Sequence, residues 1–230
     1  MQFPETVIFD LDGTLIDSAP DLTLALNHTL STLDLPPVDL PAVRDMVGRG
    51  ARVLIEKGSA ASGVILDETA MEDAFQRFLA FYADHIADHT IVFDGVFEAL
   101  DLLAKDGVSM GICTNKPQDL TDSVLDALDL TQYFDTILGA DAVPNRKPHP
   151  DHLLKTIEGL GGNPASSVLV GDSITDVETA RNAKVPVIAV RFGYSLTPVD
   201  ELGADRLIDH FDALAPALTS LLDNAESARL

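Results

Sequence analysis

The chain has 230 residues, is 46% hydrophobic, and sets 15 lysines and arginines against 37 aspartates and glutamates, a formal charge of −22. Such content suits one large domain or a domain with an insertion, and so acidic a field excludes nucleic acid and anionic membrane surfaces as partners. The single Cys113 excludes an internal disulfide and a multi-cysteine zinc cage, and "MQFPETVIFD" carries no secretory signal or membrane span, so a cytoplasmic location is expected.

In chain order, "TVIFDL" (6–11) reads as a buried strand. Residues 18–90 then show helical periodicity without a convincing strand, in "DLTLALNHTLSTLDL" (21–35), "PAVRDMVGRGARVLIEKG" (41–58) and "DETAMEDAFQRFLAFYADHIADH" (67–89). "LPPVDLP" and "SAASG" punctuate them as turns. Phe75, Phe78, Phe81 and Tyr82 fall at helical spacing and are expected to form the core of this segment. From residue 91 the pattern alternates. "VSMGICT" (108–114), "TILGA" (136–140), "SVLVGD" (167–172), "VPVIAV" (185–190) and a short "DRLI" (205–208) read as strands. The segments 95–107, 117–130, 151–162 and 175–183 read as the helices between them. The expected fold is α/β: a Rossmann-like parallel sheet with helices on both faces. Residues 1–17 and 91–230 make the catalytic core, and 18–90 a helical cap domain inserted after the first strand.

The chemistry collects at the strand ends. Asp10 and Asp12 close the first strand. If the strand persists they share a face, and two carboxylates so close repel unless a cation joins them. An oxygen-only donor set points to Mg²⁺. The second strand ends "CTNKP", offering Thr114 and Asn115 beside a helix start suited to an anion. "NRKPHP" supplies Lys147, and "GDSITD" supplies Asp172 and Asp176. Four carboxylates, a hydroxyl and an ammonium are what phosphoryl transfer requires. Competing signals are weak. His85 and His89 are four apart on a helix without a third ligand, His149 is flanked by prolines without a role, Cys113 reads as packing, and no P-loop is present.

These motifs in this order, "DLDGTLIDS", "ICTNK", "RKPHP" and "GDSITD", resemble the haloacid dehalogenase superfamily of phosphohydrolases, over residues 6 to about 209. The resemblance implies a Mg²⁺-dependent phosphomonoester hydrolase acting on a small phosphorylated metabolite. Asp10 would be the nucleophile that forms an aspartyl-phosphate. Asp12 would be the general acid and then the general base. Thr114, Asn115 and Lys147 would hold the phosphoryl oxygens. Asp10, Asp172 and the backbone carbonyl of Asp12 would bind the metal, with Asp176 supporting it from behind. "VGRG" (47–50) and "FGY" (192–194) further resemble bacterial phosphoglycolate phosphatases, implying hydrolysis of 2-phosphoglycolate to glycolate and phosphate. Arg49, between two glycines, is the candidate for binding a leaving group that bears its own carboxylate. Other readings stay open: a hydrolase of sugar phosphates, nucleotides or pyrophosphate, and a β-phosphoglucomutase-like mutase. A phospho-receiver module fits poorly, since receivers are about half this length and accept the phosphoryl group on a later strand. The expected assembly is a monomer or homodimer.

Overall fold

The run "TVIF" has no polar face, and all four residues are buried in β1 (Thr6–Phe9). In the computed structural model, which describes residues 3–227, β1 lies inside a six-stranded sheet. With it are β4 (Ser109–Cys113), β5 (Thr136–Leu138), β6 (Ser167–Gly171), β7 (Val187–Val190) and β8 (Arg206–Ile208). The order is β5-β4-β1-β6-β7-β8, every pair parallel. The chain moves outward through β4 and β5, then returns to the other side of β1. That reversal opens a crevice at the carboxyl ends of β1, β4 and β6, where ligands bind in open α/β sheets.

Strand alternation divides the core. Val7 and Phe9 point into one apolar layer, with Val96 and Leu100 of α5 (Val96–Lys105), Val124 and Leu125 of α6 (Gln118–Ala127), and Leu214 and Leu218 of α9 (Leu214–Ser227). Ile8 points into the other, with Leu153 and Ile157 of α7 (Pro150–Gly159) and Val177 and Ala180 of α8 (Ile174–Ala183). Helix α9 lies beyond the elements the sequence pattern predicted.

Between β1 and β4 the chain forms α1 (Ala19–Ser31), α2 (Leu40–Arg44), α3 (Ala51–Ala60) and α4 (Glu68–Asp84). These helices surround an apolar cluster of their own that includes Leu26, Leu30, Ile55, Phe78 and Tyr82, with Leu120 reaching in from α6. The helical pattern of 41–58 is broken in the middle: Gly48 and Gly50 take φ of +101° and +89°, so α2 and α3 are separated by a loop. The segment leaves and rejoins the sheet domain through a two-stranded antiparallel ribbon that the sequence did not announce, β2 (Ile16–Asp17) with β3 (Ile91–Val92). The buried Asp21 carboxylate ties the two crossings together, accepting from the His89 N–H at 2.9 Å and from the Thr90 N–H and hydroxyl at 2.8 and 2.7 Å. Asp17 is held from both sides, by Arg44 at 2.6 Å and by the Tyr194 hydroxyl at 2.5 Å. No helix among the described residues is long and apolar enough to cross a membrane.

Candidate active site

Strand β1 ends at Phe9, so Asp10 and Asp12 stand beyond it and strand alternation does not govern them. The chain turns at Gly13, whose φ of +83° an L side chain rarely adopts. Both carboxylates line one cavity, and they meet different partners.

Asp10 is buried among charges. Its Oδ1 accepts from the Leu11 N–H at 2.7 Å and lies 3.0 Å from Lys147 Nζ. Lys147 Nζ also donates to Asp176 Oδ1 at 2.6 Å. Asp172, at the tip of β6, accepts from the Tyr194 N–H at 2.7 Å. The "FGY" segment comes this close because its middle residue has no side chain: a Cβ at Gly193 would collide with Asp172 Cβ and the Gly13 carbonyl. Asp176, at the start of α8, uses its Oδ2 to accept from Ser173 Oγ at 2.7 Å and from the N–H groups of Ser173 and Asp172 at 3.1 and 3.3 Å. Both its oxygens are therefore engaged, one by Lys147 and one by the turn that carries Asp172.

Oxygens of Asp10, Asp172 and Asp176 all lie within 4.8 Å of one another. Three buried carboxylates against the single Lys147 ammonium leave an excess of negative charge. Burial pushes the Asp10 carboxyl from 3.8 up to about 7, with Lys147 opposing that rise and Asp176 adding to it. Burial, then Asp176 and Asp10, hold Asp172 well above the usual carboxylate range. A divalent cation would offset that charge. An all-oxygen donor set with such charge fits Mg²⁺, and Asp10 and Asp172 have the freer oxygens.

Thr114 is buried at the end of β4, its hydroxyl accepting from the Lys116 N–H at 3.2 Å. Asn115 donates to the Lys147 carbonyl at 3.1 Å and to the Gly48 carbonyl at 3.2 Å, joining the sheet domain to the loop before α3. Its Oδ1 is buried without a hydrogen-bond partner among the described residues. Asp12 takes the Ser18 hydroxyl at 2.6 Å and Lys116 Nζ at 3.1 Å, and Lys116 Nζ reaches on to the Tyr82 hydroxyl of α4 at 2.7 Å. Burial alone would lower the Lys116 pKa, but Asp12 and Tyr82 outweigh it and raise the ammonium above its ordinary value. Burial pushes the Tyr82 phenol up to about 12, against Lys116.

The cavity is narrow, about 50 Å³, with Asp10, Asp12, Thr114, Asn115 and Lys116 on the sheet side and Leu22, Val47, Leu54, Phe78 and Tyr82 on the helical side. Gly48 and Gly50 line it, while Arg49 between them is exposed and lies outside the lining residues. Of the four aromatics expected as core, Phe78 and Tyr82 are indeed buried there, yet both also wall the cavity. His85 pairs with Asp88 at 2.7 Å and His149 caps α7 through the Asp151 N–H. Neither these nor His89 joins an acidic cluster among the described residues. Cys113 is buried, its thiol pushed up to about 12 by that burial, as a packing residue would be.

A match to the family described as haloacid dehalogenase-like hydrolase runs over residues 7–190. The chain belongs to that family. The haloacid dehalogenase-like match takes in every candidate residue from Asp10 to Asp176 and stops short of Gly193 and Tyr194. Among curated relatives, the "Phosphoglycolate phosphatase" of Caulobacter vibrioides is 44% identical over 217 residues, covering 94% of this chain and 92% of that one. That of Agrobacterium fabrum is 43% identical, covering 92% and 91%. A crystal structure of a predicted phosphoglycolate phosphatase from Haemophilus somnus superimposes with a TM-score of 0.88 at 28% identity, covering 94% of this chain and 99% of that one. Sequence reasoning within this family pattern missed three residues of the site: Ser18, Tyr82 and Lys116. The signal for Lys116 was available in "CTNKP", two residues past a residue already assigned to the strand tip.

Proposed function

We propose that the chain hydrolyses 2-phosphoglycolate to glycolate and phosphate, through a phosphoryl group carried on Asp10. The observation that carries this reading is the pairing of Asp10 with Lys147 at 3.0 Å beside Asp172, where Asp10 and Asp12 line one cavity. The relatives named phosphoglycolate phosphatase, similar over nearly the whole chain, supply the substrate. The cavity volume agrees: about 50 Å³ is far below the roughly 300–1,000 Å³ of common ligand clefts, and favours a leaving group smaller than a sugar or nucleoside.

In this reading residues 18–90 are a cap over a core of 1–17 and 91–230. Lys147 and the Thr114 hydroxyl take phosphoryl oxygens, and Asn115 fixes the loop beside them. Asp10 Oδ attacks phosphorus as the ester P–O bond breaks. Asp12 gives its proton to the departing glycolate oxygen, then takes a proton from the water that attacks the phosphorus of the aspartyl-phosphate and regenerates Asp10. Ser18 and Lys116 aim Asp12 for both transfers. Asp10 and Asp172, with the Asp12 carbonyl, would hold Mg²⁺, and Asp176 would brace Lys147 and the turn of Asp172. When bound, Mg²⁺ neutralises carboxylate charge and stabilises charge developing on the phosphoryl oxygens. The protein works in the cytoplasm as a monomer or homodimer, without nucleic acid.

A panel of phosphate esters tests the substrate. kcat/KM for 2-phosphoglycolate is expected to exceed that for glucose phosphates, nucleotides and pyrophosphate by at least about tenfold, the least that a closely fitted pocket gives. A glucose phosphate, nucleotide or pyrophosphate hydrolysed as well would contradict the assignment. Isomerisation of a glucose phosphate in place of hydrolysis would make the protein a mutase.

A further inference from the structure

Lys116 is buried, charged and at the cavity, and the steps above use it only to aim Asp12. Of the lysines and arginines among the described residues, it alone lines the cavity. An ammonium has three N–H donors. They go to Asp12 Oδ1 at 3.1 Å, to the Tyr82 hydroxyl at 2.7 Å and, at a longer 3.4 Å, to Asp12 Oδ2. The Tyr82 hydroxyl accepts from Lys116, and its own hydrogen has no acceptor among the described residues. An unpaired Tyr82 hydrogen on α4 and a buried ammonium just past β4 thus meet at the cavity. The cavity wall around them is apolar: Leu22, Val47, Leu54, Phe78 and Leu120.

The spacing matches a particular ligand. Asp12 has to reach the ester oxygen to protonate it, and Lys116 Nζ sits 3.1 Å from Asp12 Oδ1. In the phosphate ester of a 2-hydroxycarboxylate, the carboxylate carbon is two bonds from that same oxygen. Lys116 and Tyr82 then lie where the carboxylate must go, and the Lys116 ammonium meets its charge. Arg49, expected from sequence to do this, is exposed and outside the cavity lining.

We propose that Lys116 and Tyr82 are the specificity-determining pair that recognises the carboxylate of the leaving group. The proposal rests on the phosphoglycolate reading and names the residues that enforce it. A substrate of the same length without a carboxylate leaves the Tyr82 hydrogen unpaired and brings no charge to the Lys116 ammonium, the kind of mismatch that gives polar pockets their strongest discrimination.

The test is the ratio of kcat/KM for 2-phosphoglycolate to that for ethyl phosphate, measured on the wild type and on Lys116→Met. The wild type is expected to favour 2-phosphoglycolate by about 100-fold or more, the scale of a charge-assisted contact. Lys116→Met is expected to lose most of that ratio, with a rise in KM for 2-phosphoglycolate. Equal losses on both substrates, leaving the ratio intact, would mean that Lys116 serves Asp12 alone and would overturn the proposal. A wild type without the preference would refute the substrate reading itself, and this proposal with it. Tyr82→Phe keeps the ring and the Lys116 charge, so it reads the same ratio should Lys116→Met fail to fold. It is expected to lower the ratio several-fold, and an unchanged ratio would remove Tyr82 from the pair.

Discussion

Asp10→Asn is expected to lower turnover of 2-phosphoglycolate by at least about 10⁴-fold, the scale seen when a nucleophile is removed from machinery that acts as a unit, while the fold is kept or made more stable. The two effects have one cause. Asp10 is buried beside Asp172 and Asp176, and its carboxyl is pushed up to about 7 mainly by that burial. The ionised form, which in the proposed mechanism attacks phosphorus, is the form the fold resists. An amide of the same shape removes that cost, and it can still meet the Leu11 N–H through its oxygen. Stability surrendered for activity is expected at a nucleophile. The check is kcat beside a thermal melt in metal-free buffer. A large fall in Tm would show that Asp10 holds the fold together, and appreciable turnover would show that another group carries the reaction.

The second large effect is the response to Mg²⁺ and pH. Asp10 and Asp172 both have folded-state pKa values raised above the unfolded carboxylate range. The folded state therefore binds more protons than the unfolded one over this interval. The stability these groups contribute is full below the unfolded value of 3.8 and is lost as pH rises through about 7 for Asp10. A bound cation reverses the sign by favouring the ionised carboxylates, and its affinity grows as they lose their protons. Saturating Mg²⁺ is expected to raise Tm by about 5–10 °C at pH 8 and by distinctly less at pH 5. EDTA is expected to abolish activity. Asp172→Asn should shrink the Mg²⁺ shift at pH 8. An equal shift at both pH values, or full activity in EDTA, would contradict the assignment of this cluster.

The residues at the strand tips were legible because their signal is short-range. Apolar runs that end abruptly in Asp10, Thr114 and Asp172 announce polar groups at the carboxyl edge of a parallel sheet, and the order of the runs implied that the edges converge. Asp176 was legible for a related reason, four residues after Asp172 across a strand-to-helix turn that brings its carboxylate back onto the Asp172 N–H. The ribbon at the two crossings was not legible, since two-residue strands such as Ile16–Asp17 and Ile91–Val92 carry no period. Tyr82 read as packing, which its ring does; what helical spacing cannot show is that its hydroxyl reaches a lysine just past β4. The same limit hid Lys116, because where a side chain points after a strand ends depends on the turn and not on periodicity. Arg49 illustrates the converse. Flanking glycines let a loop swing a cation either way, and here the glycines face the cavity while the arginine faces out.

The covalent step at Asp10 is the centre of the account, and it can be observed directly. The wild type is mixed with 2-phosphoglycolate carrying ³²P, quenched in acid within the first turnover, and digested for peptide mapping. The account predicts label on the peptide that contains Asp10, and none in Asp10→Asn. Product formed with no labelled peptide at any time, or label fixed to a peptide lacking Asp10, would contradict it.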